Sequence, residues 1–185
     1  MRIAVYPGSF DPLHIGHQAI MEYLTKEHNF DWVYLVISPQ NPFKDPSKAL
    51  SAEKRYRDAI AAVRRHPELH IWVDNIELSM DPPHYTRRTL DALRMREPEN
   101  EFRLVIGADN LERFLGWRDA VRILKEYGLA VYPRTGYDIE ALRSGILSQH
   151  PDGIIDIIDA PIVDISSTRI REGIEAGEDM SGWLM

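Results

Sequence analysis

Short runs of apolar and β-branched residues recur along the chain, and longer segments with apolar residues at helical spacing separate them. The short runs predict buried β-strands at residues 3–6, 32–37, 71–73, 102–106, 129–132 and 154–158. The longer segments predict α-helices near residues 14–26, 52–65 and 86–96, and a broken pair of helices over residues 110–125. Ser51 is the predicted N-cap of the second helix.

This alternation of strand and helix predicts an α/β fold. It is typical of a Rossmann-like, doubly wound and mainly parallel sheet with helices on both faces. Such sheets bind ligands beyond the carboxyl ends of their strands, where helix N-termini present free backbone N–H groups. We therefore expect the functional residues in the turns that follow the strands. Residues 38–50, which are rich in proline and polar side chains, are expected to form an active-site loop.

The composition excludes several classes of protein. The chain has 185 residues, 44% of them hydrophobic, which predicts a single domain over residues 1–185. The chain has no cysteine, which excludes a disulfide framework, a thiolate zinc site and a cysteine nucleophile. A net charge of −7 argues against nonspecific binding to nucleic acid or to an anionic membrane. Because no apolar stretch reaches the length of about 18 residues that a membrane span needs, we expect a cytoplasmic protein.

The turn after the first predicted strand carries the sequence GSFDPLHIGH, residues 8–17. A glycine, a serine and a proline predict a turn before a helix with two histidines, whose spacing places them on one helix face. Gly16 leaves room for a phosphate or a ribose close to the backbone. From spacing alone, His14 and His17 indicate an anion site, a metal site completed by Asp11, or a helix cap.

A second motif lies near the end of the chain, where DISSTRIREG spans residues 164–173. Ser166, Ser167 or Thr168 is expected to cap a helix whose free N–H groups and hydroxyls face an oligophosphate. An arginine of this motif adds a forked and permanently charged donor. Because the net charge is negative, such local donors must hold any phosphate ligand. Together, the two motifs favour a phosphate site over two ordinary helix caps.

HIGH near the N-terminus and ISSTRIR near the C-terminus resemble the two motifs of the HxGH nucleotidylyltransferase superfamily. Within it, the chain is most similar to the nicotinate mononucleotide adenylyltransferase family. Three further segments carry this resemblance: HYTRRT at residues 84–89 resembles S-Y-T-x-x-T, IGADNLERFLGW at 106–117 resembles I-G-x-D followed by Trp, and RTGY at 134–137 resembles R-P-G-Y. The resemblance covers nearly all of the chain and implies adenylyl transfer from ATP to a phosphate-bearing acceptor.

The resemblance also implies roles for individual residues. In the family, both histidines of the first motif bind ATP phosphates, as do the serine, threonine and arginine of the second, and a loop lysine also contacts phosphate. The residues implied to be catalytic are His14, His17, Lys44 and Arg171. The residues implied to bind ATP are Gly8, Ser9, Phe10, His14, His17, Gly107, Asp109, Ile165, Ser166, Ser167, Thr168 and Arg171. Among them, Asp109 is implied to hold a ribose.

The acceptor site is assigned by the same resemblance. The residues implied to bind the acceptor are Lys44, Tyr85, Thr86, Trp117 and Arg134. The pyridine ring is expected to stack on Trp117, although burial statistics alone favour a core position for this residue. Arg87 or Arg88 is expected to favour the acidic ring of nicotinate over nicotinamide.

The expected chemistry needs no general base. The acceptor phosphate is an anion at neutral pH, so its oxygen attacks the α-phosphorus of ATP directly while the protein holds the two reactants in line. We expect Mg²⁺ to arrive with ATP and to be held mostly by phosphate and water, so no metal site built from protein ligands is predicted. The expected partners are ATP and a pyridine mononucleotide, with no nucleic acid and no membrane, and a homo-oligomer is left open.

Some residues depart from the family pattern and leave other hypotheses open. YPGSFDP at residues 6–12 resembles the phosphopantetheine adenylyltransferase branch, although that branch has threonine at the position of His14. Phe43 stands where the family has a histidine before the loop lysine. The alternatives are adenylyl transfer to nicotinamide mononucleotide or phosphopantetheine, and a non-catalytic nucleotide-binding protein.

Overall fold

A computed structural model describes residues 1–39 and 51–185 of the protein. In these residues six strands form one parallel sheet in the order β3-β2-β1-β4-β5-β6. The strands are β1 (Arg2–Gly8), β2 (Trp32–Ile37), β3 (Ile71–Asp74), β4 (Glu101–Gly107), β5 (Leu129–Tyr132) and β6 (Ile155–Ile157). All six predicted strands are confirmed, with small differences at their ends. The strand order confirms the doubly wound, Rossmann-like arrangement.

Helices connect the strands. Those in the described residues are α1 (Ile15–Lys26), α2 (Ala52–Val63), α3 (Thr86–Arg96), α4 (Ala108–Arg113), α5 (Ala120–Glu126), α6 (Ile139–Gln149) and α7 (Ser167–Glu175). A 3-10 segment at Phe114–Gly116 separates α4 from α5, which confirms the predicted broken pair. Ser51 caps α2 as predicted, since its hydroxyl accepts a hydrogen bond from the backbone N–H of Lys54 at 3.2 Å.

Strand β1 shows how the sheet separates two hydrophobic cores. Ala4 and Tyr6 face the core in which α1 and α2 pack, whereas Ile3 and Val5 face the core of α3, α4, α5 and α6. Alternate side chains of a strand point to opposite faces, so burial on both faces produces the continuous apolar runs of the sequence. The prediction of helices on both faces is confirmed.

The fold opens a crevice where the strand order reverses, between β1 and β4. The two strands pair only as far as Val5 and Leu104, although they continue to Gly8 and Gly107. Their carboxyl ends therefore separate, which is the position where sheets of this type bind ligands. Helix α7 packs beside this crevice, with Ile170 in a small cluster with Ile165 and Met180. None of the helices in the described ranges has the length and apolar character required to cross a membrane.

Candidate active site

His14 and His17 lie at the start of α1, His14 just before the helix and His17 in its first turn. His14 is the N-cap residue, and its Nδ1 accepts a hydrogen bond from the N–H of Gly16 at 3.2 Å. The Nδ1 of His17 accepts a hydrogen bond from the N–H of His14 at 3.3 Å, and the two rings stack with centroids 3.6 Å apart. The prediction that both histidines lie within the helix is wrong, because α1 begins at Ile15. The rings meet through reciprocal capping bonds.

The environment of the histidine pair keeps both rings neutral. Burial lowers the pKa of His14, the charge of Arg134 acts in the same direction, and together they bring it to about 4. Burial lowers the pKa of His17 well below its ordinary value, with additional contributions from His14 and Arg134. Because each Nδ1 accepts a backbone hydrogen bond, the proton of each neutral ring lies on Nε2. The pair therefore presents two N–H donors, which suit phosphate oxygens.

Gly16 allows the histidine pair to pack against the second motif. A Cβ atom added at Gly16 would lie 3.0 Å from the ring of His14 and 3.4 Å from Cγ2 of Ile165. The space that the sequence assigns to a ligand is thus filled by these two side chains. The tighter of the two contacts is with the ring of His14, so glycine at this position leaves room for that ring.

The turn at residues 8–10, predicted to contact ATP, lies against the same histidines. Phe10 has a positive φ of 45°, and its ring centroid is 5.0 Å from that of His17. A Cβ atom on Gly8 would come within 2.9 Å of the Phe10 ring. Glycine at this position therefore lets the turn fold back onto the start of α1.

Two hydrogen bonds join the second motif to the first. The hydroxyl of Ser167 donates to the carbonyl of Pro12 at 3.0 Å, across 155 positions of sequence. Nη1 of Arg171 donates to the carbonyl of Asp11 at 2.6 Å, across 160 positions. The two motifs, predicted to act together, are thus in direct contact at the start of α1 and α7.

Within the second motif, the structure distinguishes between neighbouring residues. Ser166 is the N-cap of α7, since its hydroxyl accepts from the N–H of Arg169 at 3.1 Å. Thr168 accepts a hydrogen bond from Nη2 of Arg171 at 3.2 Å. The side chain of Arg169 pairs instead with Glu178 at 2.6 Å. Of the three hydroxyls that the sequence offers, Ser166 is therefore the cap.

A cleft of about 600 Å³ lies beside the two motifs. This volume is within the range of roughly 300–1,000 Å³ that is usual for small-molecule sites. Asp109, Arg134 and Ile165 line the cleft. A smaller cavity of about 30 Å³, which shares Arg134 and Ile165 with it, reaches His14 and His17. Of the predicted ATP-binding residues, His14, His17, Asp109, Ile165 and Ser166 line one or other of these openings. The others, which are Gly8, Ser9, Phe10, Gly107, Ser167, Thr168 and Arg171, line neither of them.

Asp109 lies in the first turn of α4, directly after β4. Its Oδ1 is 3.7 Å from Nε of Arg134, and it is buried without a hydrogen-bond partner within the described part of the chain. A buried acceptor of this kind is costly unless a ligand satisfies it. A Cβ on Gly107 would meet this carboxylate and lie 3.0 Å from the ring of Tyr132. Glycine is therefore needed for the position of the Asp109 side chain.

The residues predicted to bind the acceptor lie on different elements. Tyr85 precedes α3 and is exposed, with its ring 5.9 Å from Cζ of Arg118, and Thr86 is the first residue of α3. Trp117 is partly buried, and its ring centroid is 5.6 Å from that of Phe114. It thus packs on the core while part of its surface stays accessible. Lys44 lies outside the described residues.

Arg87 and Arg88 are engaged by other groups of the protein. Arg87 is buried and pairs with Asp91 at 2.8 Å and with Glu126 at 2.9 Å. Arg88 donates to the carbonyls of Asp81 and Pro83. These contacts remove the basis for assigning either guanidinium to the nicotinate ring.

Sequence reasoning missed Arg55, whose side chain is hydrogen-bonded to the turn after β1. It occupies a buried position of α2 in register with Ala59 and Ala62. An amphipathic helix normally has an apolar residue at such a position. An arginine within the apolar stripe is the signal that could have identified it.

Comparison with known proteins identifies the family. The sequence model of the cytidylyltransferase-like family matches residues 5–173. A protein of Porphyromonas gingivalis named "Probable nicotinate-nucleotide adenylyltransferase" is 39% identical over 184 residues, which are 100% of this chain and 89% of that protein. The chain belongs to the nicotinate-nucleotide adenylyltransferase family. A relative of the same name from Bacteroides fragilis is 36% identical over 99% of this chain and 87% of its own length.

Solved structures agree with this family in their fold. The Plasmodium falciparum nicotinic acid mononucleotide adenylyltransferase complexed with NaAD has a TM-score of 0.81 and covers 99% of this chain and 90% of its own. The same protein complexed with APC has a TM-score of 0.77 and also covers 99% of this chain and 90% of its own. The sequence identities are 18% and 17%, so the likeness is one of fold. The Rossmann-like fold predicted from the alternation of strands and helices is confirmed.

Proposed function

We propose that the protein transfers the adenylyl group of ATP to nicotinate mononucleotide, which gives nicotinate adenine dinucleotide and pyrophosphate, a step of NAD biosynthesis. The observation that carries this proposal is the contact of the two motifs through Ser167 and Arg171 at the start of α1. It brings the N-terminus of α7 and the guanidinium of Arg171 against the turn before α1, next to two imidazole donors that line the cavity beside the cleft. The name of the relatives supports the choice of acceptor.

ATP is proposed to bind with its triphosphate between the N-termini of α1 and α7. His14 and His17 donate through Nε2, and Arg171 supplies a permanent positive charge. The helix N-termini add backbone N–H groups whose dipoles favour an anion. Asp109, whose buried Oδ1 lacks a donor within the described residues, accepts a hydrogen bond from a ribose hydroxyl.

The transfer itself is a displacement at the α-phosphorus. An oxygen of the acceptor phosphate forms the new bond to phosphorus, the bond from phosphorus to the pyrophosphate oxygen breaks, and pyrophosphate leaves with the electron pair. The attacking oxygen is already ionised, so no side chain needs to remove a proton. The protein aligns the two anions and stabilises the charge that develops on the transferred group.

Mg²⁺ is proposed to enter with the nucleotide. Two carboxylates, those of Asp109 and Asp164, line the cleft, and Oδ1 of Asp109 is 3.7 Å from Nε of Arg134. Among the described residues no group of three or more His, Asp or Glu side chains is placed to hold a metal ion. This donor set fits an ion held by phosphate oxygens and water, which would neutralise charge on the leaving pyrophosphate.

The acceptor is proposed to bind with its ring on Trp117 and its phosphate near Arg134, which also lines the proposed ATP site. Tyr85 and Thr86 are proposed to contact the ring substituent, and Lys44 to contact phosphate. The partly accessible indole of Trp117 supports ring stacking. We propose a cytoplasmic location, because the reaction consumes ATP and acts on small molecules.

Pyrophosphate release tests the proposal. The protein is incubated with ATP and Mg²⁺ together with nicotinate mononucleotide, nicotinamide mononucleotide or phosphopantetheine. We expect release with nicotinate mononucleotide at a higher kcat/KM than with either other acceptor. Formation of the dinucleotide product is followed in parallel, so that simple ATP hydrolysis is not counted.

Other results of this experiment would support a different function. The segment at residues 6–12 favours phosphopantetheine as the second candidate acceptor, and turnover with this acceptor alone would establish it. A strong preference for nicotinamide mononucleotide would overturn the choice of the acidic ring. ATP binding without pyrophosphate release for any acceptor would indicate a non-catalytic nucleotide-binding protein.

A further inference from the structure

Arg55, near the start of α2, is a buried arginine that bonds to two separate turns. Its side chain is 3% exposed. Nη1 donates to the carbonyl of Ser9 at 2.5 Å, and Nη2 donates to the carbonyls of Ser38 and Pro39, both at 2.8 Å. Ser9 belongs to the turn after β1, whereas Ser38 and Pro39 follow β2. One guanidinium therefore joins the turns at the carboxyl ends of two neighbouring strands.

Burial of this charge is unfavourable in itself. Desolvation lowers the pKa of Arg55, and the nearby carboxylate of Asp11 acts in the opposite direction. An apolar side chain on the buried face of α2 would avoid the desolvation penalty, but it would supply none of the three hydrogen bonds. What arginine contributes at this position is therefore its bonds to the two turns.

Ser38 is held from a second side. Its side chain interacts with Glu77, which lies in the 3-10 segment after β3 and is 4% exposed. Burial raises the pKa of this carboxyl, and Ser38 acts in the opposite direction. The same carboxylate accepts a hydrogen bond from Thr89 of α3 at 2.7 Å. Helix α3 begins at Thr86, a residue of the proposed acceptor site. A series of polar contacts thus runs from α3 through the buried Glu77 and the partly buried Ser38 to the buried Arg55.

We propose that Arg55 is a positioning residue for adenylyl transfer, which holds the ATP-binding turn at Ser9 in register with the turn at Ser38 and, through Glu77, with α3. This inference rests on the proposed function. Arg55 acts through backbone carbonyls, so it is distinct from the groups proposed to touch substrate. In-line transfer is sensitive to small displacements of the reactants, and a shift of about 1 Å can cost roughly 10²-fold in rate. A buried guanidinium with bonds to both turns limits such shifts.

The test compares Arg55→Lys and Arg55→Ala with a matched control, Arg103→Ala. Lysine keeps the charge but replaces the planar fork by a single ammonium group, which cannot reach three carbonyls in the same geometry. Arg103 is also buried, at 7% exposure, but it lies in the first half of β4 and pairs with Glu101, far from the carboxyl edge. All three substitutions are expected to lower the melting temperature.

Steady-state kinetics distinguish a positioning role of Arg55 from an effect on protein stability alone. We expect kcat to fall by at least ~10-fold in Arg55→Lys and by about 10²-fold in Arg55→Ala, with smaller changes in KM for ATP and nicotinate mononucleotide. Arg103→Ala is expected to keep the wild-type kcat per folded molecule. Wild-type kinetics in Arg55→Lys would overturn the proposal. So would an equal loss of kcat in Arg103→Ala, because activity would then follow stability alone.

A structural measurement keeps this test separate from that of the proposed function. The N–H of Ser38 donates to the carbonyl of Gly8 at 2.9 Å, so its hydrogen exchange reports how firmly the two turns are joined. We expect faster exchange of this amide in Arg55→Lys than in wild type or Arg103→Ala. If the wild-type protein transfers no adenylyl group, the proposed function fails, and unchanged exchange of Ser38 would independently refute the role of Arg55.

Discussion

The chemistry of His14 and His17 follows from the hydrogen bonds at the start of α1. Each Nδ1 is an acceptor for a backbone N–H, so burial leaves a neutral ring with its proton on Nε2. A neutral donor binds a phosphate oxygen without adding charge to a site that already holds Arg171. The sequence shows two histidines at a short spacing, but the protonation state depends on their burial beside Arg134.

Loss of the His17 donor is expected to slow adenylyl transfer. His17→Ala should lower kcat by at least ~10²-fold, which is the usual effect of removing one preorganised donor. Steady-state pyrophosphate release measures it. His17→Gln serves as a companion variant, since glutamine at the same helix position can accept the N–H of residue 14 and retain the capping bond.

The control for this experiment is His150→Ala, at the C-terminal end of α6 and away from the cleft. It should retain wild-type activity. A near-normal rate in His17→Ala, in protein with a normal melting temperature, would contradict the role assigned to this imidazole.

The neutral state of His14 should make stability depend on pH. In the unfolded chain His14 binds a proton near its ordinary pKa of 6.5, whereas the folded protein lowers this value to about 4. The unfolded state therefore binds more protons between these values. The free energy of unfolding should decrease as the pH falls below 6.5, by at most about 1.4 kcal/mol per pH unit for this group.

Urea titrations at several pH values between about 7 and about 5 measure this slope. His14→Gln lacks the titrating group and should show a shallower dependence on pH. Equal slopes in the two proteins would mean that His14 titrates alike in the folded and unfolded chain.

At the scale of single elements, adjacent residues at the start of α7 form hydrogen bonds with different partners. Ser166 caps the helix through the N–H of Arg169, whereas Ser167 bonds to Pro12 of the first motif. Both serines fit a cap from sequence, because the two positions have the same hydroxyl chemistry. The position of the first helical residue, set by packing of Ile170 into its cluster, decides between them.

Substitution of the two serines should separate stability from activity. Ser166→Ala removes the cap and should lower the free energy of unfolding by about 1 kcal/mol, the typical cost of losing an N-cap. Ser167→Ala should have the larger effect on kcat, because it breaks the bond between the motifs. Urea unfolding and pyrophosphate release on both variants measure the two effects. A reversed pattern would exchange the roles of the two hydroxyls.

The elements differ in how well the sequence predicts them. The strands are predicted well, because burial on both faces requires long apolar runs. Helix α6 is missed, since it has one buried residue, Ile146, and a glycine and two serines interrupt its apolar pattern. Helices that lie on the surface with so little buried area have a weak hydrophobic signal.

At the scale of the whole molecule, the site exists because two distant parts of the chain meet. Arg171 and Asp11 are 160 positions apart, yet Nη1 of Arg171 reaches the Asp11 carbonyl at 2.6 Å. The reversal of strand order between β1 and β4 opens the crevice in which this contact forms. Neither motif alone provides the complete set of donors.

Loss of Arg171 should therefore affect the site more than loss of its neighbour Arg169. Arg171→Ala removes the contact with the first motif and a charged donor, and kcat/KM for ATP should fall by at least ~10²-fold. Arg169→Ala removes an exposed pair with Glu178 and a side chain that lines the cleft, but no contact with the first motif, so it should have the smaller effect. Kinetics at varied ATP concentration test both variants, and equal losses would show that the second motif acts through charge alone.

The amino-acid sequence by itself determined the strand pattern, the two motifs and the family, because these depend on residue types within short segments. Tertiary structure decided that His14 lies outside α1, that Ser166 rather than Ser167 is the cap, that Arg87 pairs with Asp91 and Glu126, and that Arg55 joins two turns. The physical reason is that these features depend on interactions over different distances along the chain. Periodicity and capping chemistry are local, whereas burial, ion pairing and contacts across the crevice depend on which strands become neighbours in the sheet.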